Sequence, residues 1–183
     1  AGPGSASAPD GNELLLARGL DTMIGCGVGL AVLLATYRTG GATVRRALSE
    51  TLAAAQATVP YLARGEVTTI NARTARRRLR SQAFDLIVLY EEQAGGTEGA
   101  RGEADRAWPA IVAAQRLAFR ILAACWEIEG GSDAAQTPLG TDEGQAIILA
   151  LEQLQAGRAA AIPVSSSNFL VPEIILLNES MTS

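Results

Sequence analysis

The sequence predicts an all-α protein, and three observations carry that prediction. Alanine and leucine dominate a chain that is only 4% aromatic. β-Branched residues seldom alternate with polar ones over strand-length windows, so the period-2 pattern of a sheet is missing. Apolar residues recur instead at helical spacing between Gly-rich breaks. At 183 residues the chain can bury a sizeable core as one domain, or as one membrane span plus a domain. The expected architecture is one apolar helix followed by an antiparallel, up-and-down bundle of long amphipathic helices.

Residues 1–12, AGPGSASAPDGN, are small and rich in Gly, Pro and Ser, and read as a flexible segment or loop that cannot bury apolar surface. An apolar helix follows over residues 13–37. Within it, residues 19–35 carry a single charge, Asp21. A bilayer core takes roughly 20 mostly apolar helical residues, whereas a run of about 10 to 14 more often marks a buried core helix. The stretch 23–35 alone falls in the shorter class. Adding Leu14, Leu15, Leu16, Ala17 and Leu20 gives a spanning length, with Arg18 able to snorkel to an interface and pair with Asp21. The expected break is at Gly40-Gly41.

A second helix is expected over residues 42–63, with Val44, Leu48, Leu52, Val59 and Leu62 on one face, Pro60 kinking or ending its last turn and Gly65 closing it. The third, over 67–93, begins basic and ends apolar with Leu79, Ala83, Leu86, Ile87 and Tyr90, before Gly95-Gly96 and an exposed loop, TEGARG. The fourth, over 105–129, carries Trp108, Ile111, Gln115, Leu122 and Trp126 near one face. Pro109 fits in its first turn or so, where amides lack intrahelical partners. After Gly130-Gly131 and a polar linker, a fifth helix over 141–156 sets Asp142 and Glu143 at the positive end of its dipole. A short apolar piece over 169–177, interrupted by Pro172, ends the series.

Charge and composition narrow the chemistry. Every one of the fifteen basic residues is Arg, and there is no His. Without His, the Ser-His-Asp and Cys-His nucleophile systems and the commonest transition-metal ligand are excluded. Cys26 and Cys125 lack metal-site spacing and read as buried small hydrophobes. Paired acids such as Glu91-Glu92 and Asp142-Glu143 stand beside helix ends, where capping and solvation explain them. The expectation is therefore no enzyme, no cofactor and no metal. The net charge of −4 conceals an asymmetry: residues 38–80 hold nine Arg against Glu50 and Glu66, whereas residues 81–183 hold five Arg against fourteen acids. Basic residues just after an apolar span are the positive-inside signature, which would place the 38–183 domain in the cytoplasm. The acidic domain lacks the aromatic interleaving of single-strand binders, so nucleic acid is not an expected partner.

Two residue patterns suggest contacts. Gly25 and Gly29 form a small-xxx-small pair that lets another helix backbone approach closely. Arg73, Arg76, Arg77 and Arg80 share one helical face by i, i+3, i+4, i+7 spacing. That face reads either as an anion site, for lipid headgroups, an acidic substrate or an acidic partner helix, or as a solvated face pairing with Glu91, Glu92, Glu127 or Glu129.

The string ARGLDTMIGCGVGLAVLLATY, with Arg18, Asp21, Thr22 and Gly25 as its R-x-x-D-T-x-x-G core, resembles the last membrane helix of a unit of the fusaric-acid-resistance-like (FUSC-like) family, which includes aromatic acid exporters. The segment RTARRRLRSQAFDLIVLYEE and the helix bearing Trp108 and Trp126 are also similar to that family, so the resemblance covers roughly residues 13–130. It implies a bacterial inner-membrane protein with a cytoplasmic helical domain, associated with efflux of small organic, often aromatic acids. The family carries about six spans per unit and this chain one candidate, so the resemblance further implies a fragment, or assembly with other transmembrane helices of the same or a sister chain, as a homo-oligomer among membrane lipids. The competing expectation is a soluble all-α interaction or regulatory module, with the apolar helix buried in its core.

Overall fold

In the computed structural model, the structure describes residues 26–27, 40–131, 139–161 and 168–182. The chain divides into two compact units, Ala1–Gly40 and Gly41–Ser183. The second holds nearly all the described residues, and these are helical, with no strand among them. Five helices follow in order: α1 (Gly40–Ala63), α2 (Ile70–Ala94), α3 (Glu98–Glu129), α4 (Thr141–Gln155) and α5 (Val171–Thr182). Among the described residues no helix is long and apolar enough to cross a membrane. The apolar helix expected over 13–37 lies outside the described residues, apart from Cys26 and Gly27, which are helical and exposed. Cys26 thus departs from the expected buried hydrophobe, while Cys125 is buried.

Local chemistry sets each boundary. Thr69 caps α2, its Oγ1 accepting the Ala72 N–H at 3.2 Å, so the helix starts at Ile70 rather than residue 67. Gly65 takes φ 69°, and the Gly65 and Glu66 amides donate back to the Leu62 and Tyr61 carbonyls; this left-handed turn stops α1. Gly157, at φ 66°, ends α4 by the same device. At the start of α4 the Glu143 carboxylate accepts the Gly140 N–H at 3.2 Å, in keeping with its placement at the dipole's positive end.

Three further boundaries differ from the sequence reading. Helix α1 begins at Gly40, two residues before the expected start at 42. Helix α3 begins at Glu98, and the TEGARG loop is mostly its first turns; its 32 residues span about 48 Å. Pro109 consequently stands deep inside the helix on an exposed face, where the lost amide bond faces water. Pro172 lies in the first turn of α5, where a missing amide costs nothing, so it starts the helix that it was expected to interrupt.

Apolar burial holds the bundle together. The largest fully buried side chains are all Leu or Ile, among them Leu52, Leu62, Leu79, Ile111, Leu117, Leu151 and Ile174, and each contributes about 1.5–3 kcal/mol. Exposed ion pairs such as Arg46–Glu50 and Arg64–Glu66 are worth about 0–1 kcal/mol each and do not decide the fold. Between the helices sit polar stitches. Thr51 Oγ1 donates to the Gln82 carbonyl, joining α1 to α2, and Gln115 Nε2 donates to the Ala83 carbonyl at 2.7 Å, joining α3 to α2. Gly144 lets α4 close onto α1, since a Cβ there would meet the Ala63 Cβ at 2.9 Å. Tyr90 and Trp108 stack at 4.5 Å between centroids and, with the Gln115–Ala83 bond, show that α2 and α3 run antiparallel.

Candidate functional site

A cleft of about 650 Å³ opens at the end of the bundle where α2 finishes and α3 begins. That volume is within the range of sites that hold small organic ligands, about 300–1,000 Å³. Helix α1 supplies Val44, Leu48, Arg45 and Ser49 as two adjacent i, i+4 pairs, so one apolar and one polar row enter side by side. Helix α3 supplies Glu103, Arg106, Ala107 and Ala110 from one face, and Gln93 comes from the last turn of α2. The far wall is Leu154, Gln155 and Gly157 at the end of α4, with Ser180 and Met181 of α5.

The cleft is amphipathic, with two guanidiniums, Arg45 and Arg106, and one carboxylate, Glu103, at its rim. Val44, Leu48, Ala110 and Leu154 are buried in the core and form an apolar floor. Arg45 is exposed and makes no ion pair among the described residues; Arg106 Nε donates to the Gly102 carbonyl of its own helix at 3.0 Å and has no carboxylate partner among them. Gln93 is only 8% exposed, and its buried Nε2 finds no hydrogen-bond acceptor among the described residues. A buried donor left unpaired costs about 1–3 kcal/mol. Gln93 also lines the cleft, and a turn of its side chain would bring that donor to a ligand acceptor. Two guanidiniums and an amide above an apolar floor can hold a small anion with an apolar body.

The four arginines singled out in the sequence divide into two pairs. Arg76 turns inward, and its Nη1 donates to Glu129 Oε2 at 2.7 Å, while Arg73 Nη2 stands 3.6 Å from Glu129 Oε1. The Arg76 hydrogen bond holds the Glu129 carboxyl below its ordinary range. Arg77 and Arg80 remain exposed. Beneath the Arg76–Glu129 pair, burial pushes the Cys125 thiol up to about 11, which makes it a poor nucleophile at neutral pH. Arg18, Asp21, Thr22, Gly25 and Gly29 lie outside the described residues.

Elsewhere, Glu173 in the first turn of α5 is buried, with Oε1 3.1 Å from Arg120 Nε and Oε2 unpartnered among the described residues. The same arginine donates to the Phe169 carbonyl, so it fastens the start of α5 to α3. Among the described residues no group of three or more His, Cys, Asp or Glu side chains could hold a metal ion. Arg45, Gln93 and Arg106 were not nominated by the sequence. Arg45 lies in a helix read for its apolar face alone, and Gln93 sits in a Glu-Glu-Gln run that reads as a solvated helix end. No family model, characterised protein or solved structure matches this chain.

Proposed function

We propose that residues 38–183 are the cytoplasmic helical domain of a FUSC-like inner-membrane protein associated with efflux of small organic, often aromatic acids, and that this domain takes such an acid into the cleft between α1 and α3. The observation that carries the reading is the cleft, which sets Arg45 and Arg106, without carboxylate partners among the described residues, around an apolar floor. A carboxylate would lie between the guanidiniums while the ring covers Val44, Leu48 and Ala110. Gln93 Nε2 would gain the acceptor that it lacks. The R-x-x-D-T-x-x-G core at Arg18–Gly25 supports the membrane context, with other transmembrane helices of the same or a sister chain as partners.

Isothermal titration of the chain with a small aromatic carboxylate, and in parallel with the neutral amide of the same acid, tests the reading. The acid binds, the amide does not, and Arg45→Gln combined with Arg106→Gln removes the heat of binding. Equal affinity for acid and amide, or an unaltered isotherm in the double variant, would rule the cleft out as an acid site.

A further inference from the structure

We infer that the outer face of the α2–α3 pair is a docking surface for an anionic lipid bilayer. The inference rests on this face and not on the cleft, which lies at the opposite end of the pair. Along α2, Ile70, Arg73, Arg77, Arg80 and Phe84 recur at alternating three- and four-residue steps, a single helical stripe. All five are exposed, Ile70 at 83% and Phe84 at 66%. Along α3, Arg116, Phe119 and Trp126 form a matching stripe, with Phe119 56% and Trp126 57% exposed.

The register brings the two stripes together. Arg76 meets Glu129 and Gln115 meets Ala83, so Phe84 lies near the level of Arg116, Arg80 near Phe119, and Arg73 near Trp126. The result is one patch in which guanidiniums and apolar side chains alternate. Arg77, Arg80 and Arg116 make no ion pair among the described residues. Arg73 and Arg76 both pair with Glu129 on the facing helix. Beyond Phe84 the α2 stripe turns acidic at Glu91, which confines the patch to one half of the helix.

The placement of the aromatic residues is the second observation. No aromatic side chain is buried among the described residues, whose core is Leu, Ile, Val and Ala, yet Phe84, Phe119 and Trp126 face solvent. A chain with so few aromatic residues places three of them beside uncompensated arginines. Arg with Trp and Phe on one exposed face is the composition of interfacial membrane contacts: guanidiniums reach lipid phosphates while the rings enter the headgroup layer.

Tryptophan fluorescence tests this in the full chain, because Trp108 and Trp126 are its only tryptophans and the apolar segment 13–37 contains none. Trp108→Phe keeps the ring stacked on Tyr90 and leaves Trp126 as the single reporter. With vesicles of about one-third phosphatidylglycerol in acyl-brominated phosphatidylcholine, Trp126 emission should shift to the blue and be quenched, and phosphatidylcholine alone should leave it unchanged. In this background Arg77→Gln, Arg80→Gln and Arg116→Gln, with helicity checked by circular dichroism, should each weaken the quenching isotherm about fivefold. Raising the salt to about 0.5 M should weaken it further. Quenching that ignores lipid charge, or persists in the triple Arg variant, overturns the inference. So does an unquenched Trp126 that responds instead to a soluble acidic helical peptide, which would make the face a protein interface.

Discussion

Gln93 is where stability and binding should move in opposite directions. Its Nε2 is buried without a partner among the described residues, in a residue that lines the cleft. Replacing it by Met keeps the reach of the side chain and deletes the amide. Relief of the unsatisfied donor should stabilise the ligand-free protein by about 1–3 kcal/mol. For a domain of this size, each kcal/mol moves Tm by roughly 2–4 °C, so Gln93→Met should raise it by roughly 2–12 °C. The same variant loses a hydrogen bond to a charged acceptor, worth about 1.5–3 kcal/mol, and should bind an aromatic carboxylate roughly 10- to 150-fold more weakly. Circular dichroism melts and calorimetric titration on the same preparations read the two effects. A lower Tm would mean that the amide is satisfied in the native state, and an unchanged affinity would mean that no ligand reaches it; either result refutes the reasoning.

Other positions yield independent checks. Gly144→Val forces a branched side chain against Ala63, Val59 and Leu139, where even a Cβ meets Ala63 at 2.9 Å, and should cost about 1–3 kcal/mol by chemical denaturation. The thiols should separate by accessibility: exposed Cys26 reacts with a thiol reagent at pH 8, while Cys125, buried and held at about 11, reacts only after unfolding. Two fast-reacting thiols in the native chain would contradict this arrangement. Glu129 has a lowered pKa in the folded state, so the stability it contributes is complete above its ordinary value of 4.5 and lost as pH falls through the folded value. A Glu129→Gln variant should therefore lose less stability than the parent below about pH 4.5, as read by urea midpoints across an acid series.

Much of this bundle was legible in the sequence because its core follows one rule. Leu52, Val59 and Leu62 of α1, Leu79 and Leu86 of α2, and Ile111 and Leu122 of α3 all lie on faces that the 3.6-residue period marks as buried. Helix ends were read less well. The sequence makes Pro172 an interruption and puts Pro109 in a first turn, yet Pro172 opens a helix and Pro109 stands deep within one, since a helix start or a water-facing side tolerates them. The face on α3 that links Ile111 and Leu122 with Trp126 combines buried and exposed positions, because Trp126 lies at its outer edge: Ala124 and Cys125 beside it are buried while the indole faces solvent. Arg76 and Glu129 were nominated as a possible pair, and they meet. The cleft was invisible, since Arg45, Gln93 and Arg106 come from three helices and converge only through packing.

The shortest of the five helices contributes to more than one part of the domain. Leu170, Ile174 and Leu177 close the apolar core, Arg120 fastens the start of α5 through Glu173 and the Phe169 carbonyl, and Ser180 and Met181 complete the cleft wall. Only the first turn carries that clamp; the turn at the cleft is tied by Asn178 Oδ1, which accepts the Ala160 N–H at 2.8 Å. Helix α5 therefore couples the core, the Arg120 clamp and the cleft wall within twelve residues. An acid bound against Ser180 and Met181 would stabilise the folded wall, and occupancy of the cleft would register as slowed amide exchange in the last turn of α5, well away from Arg45 in the sequence.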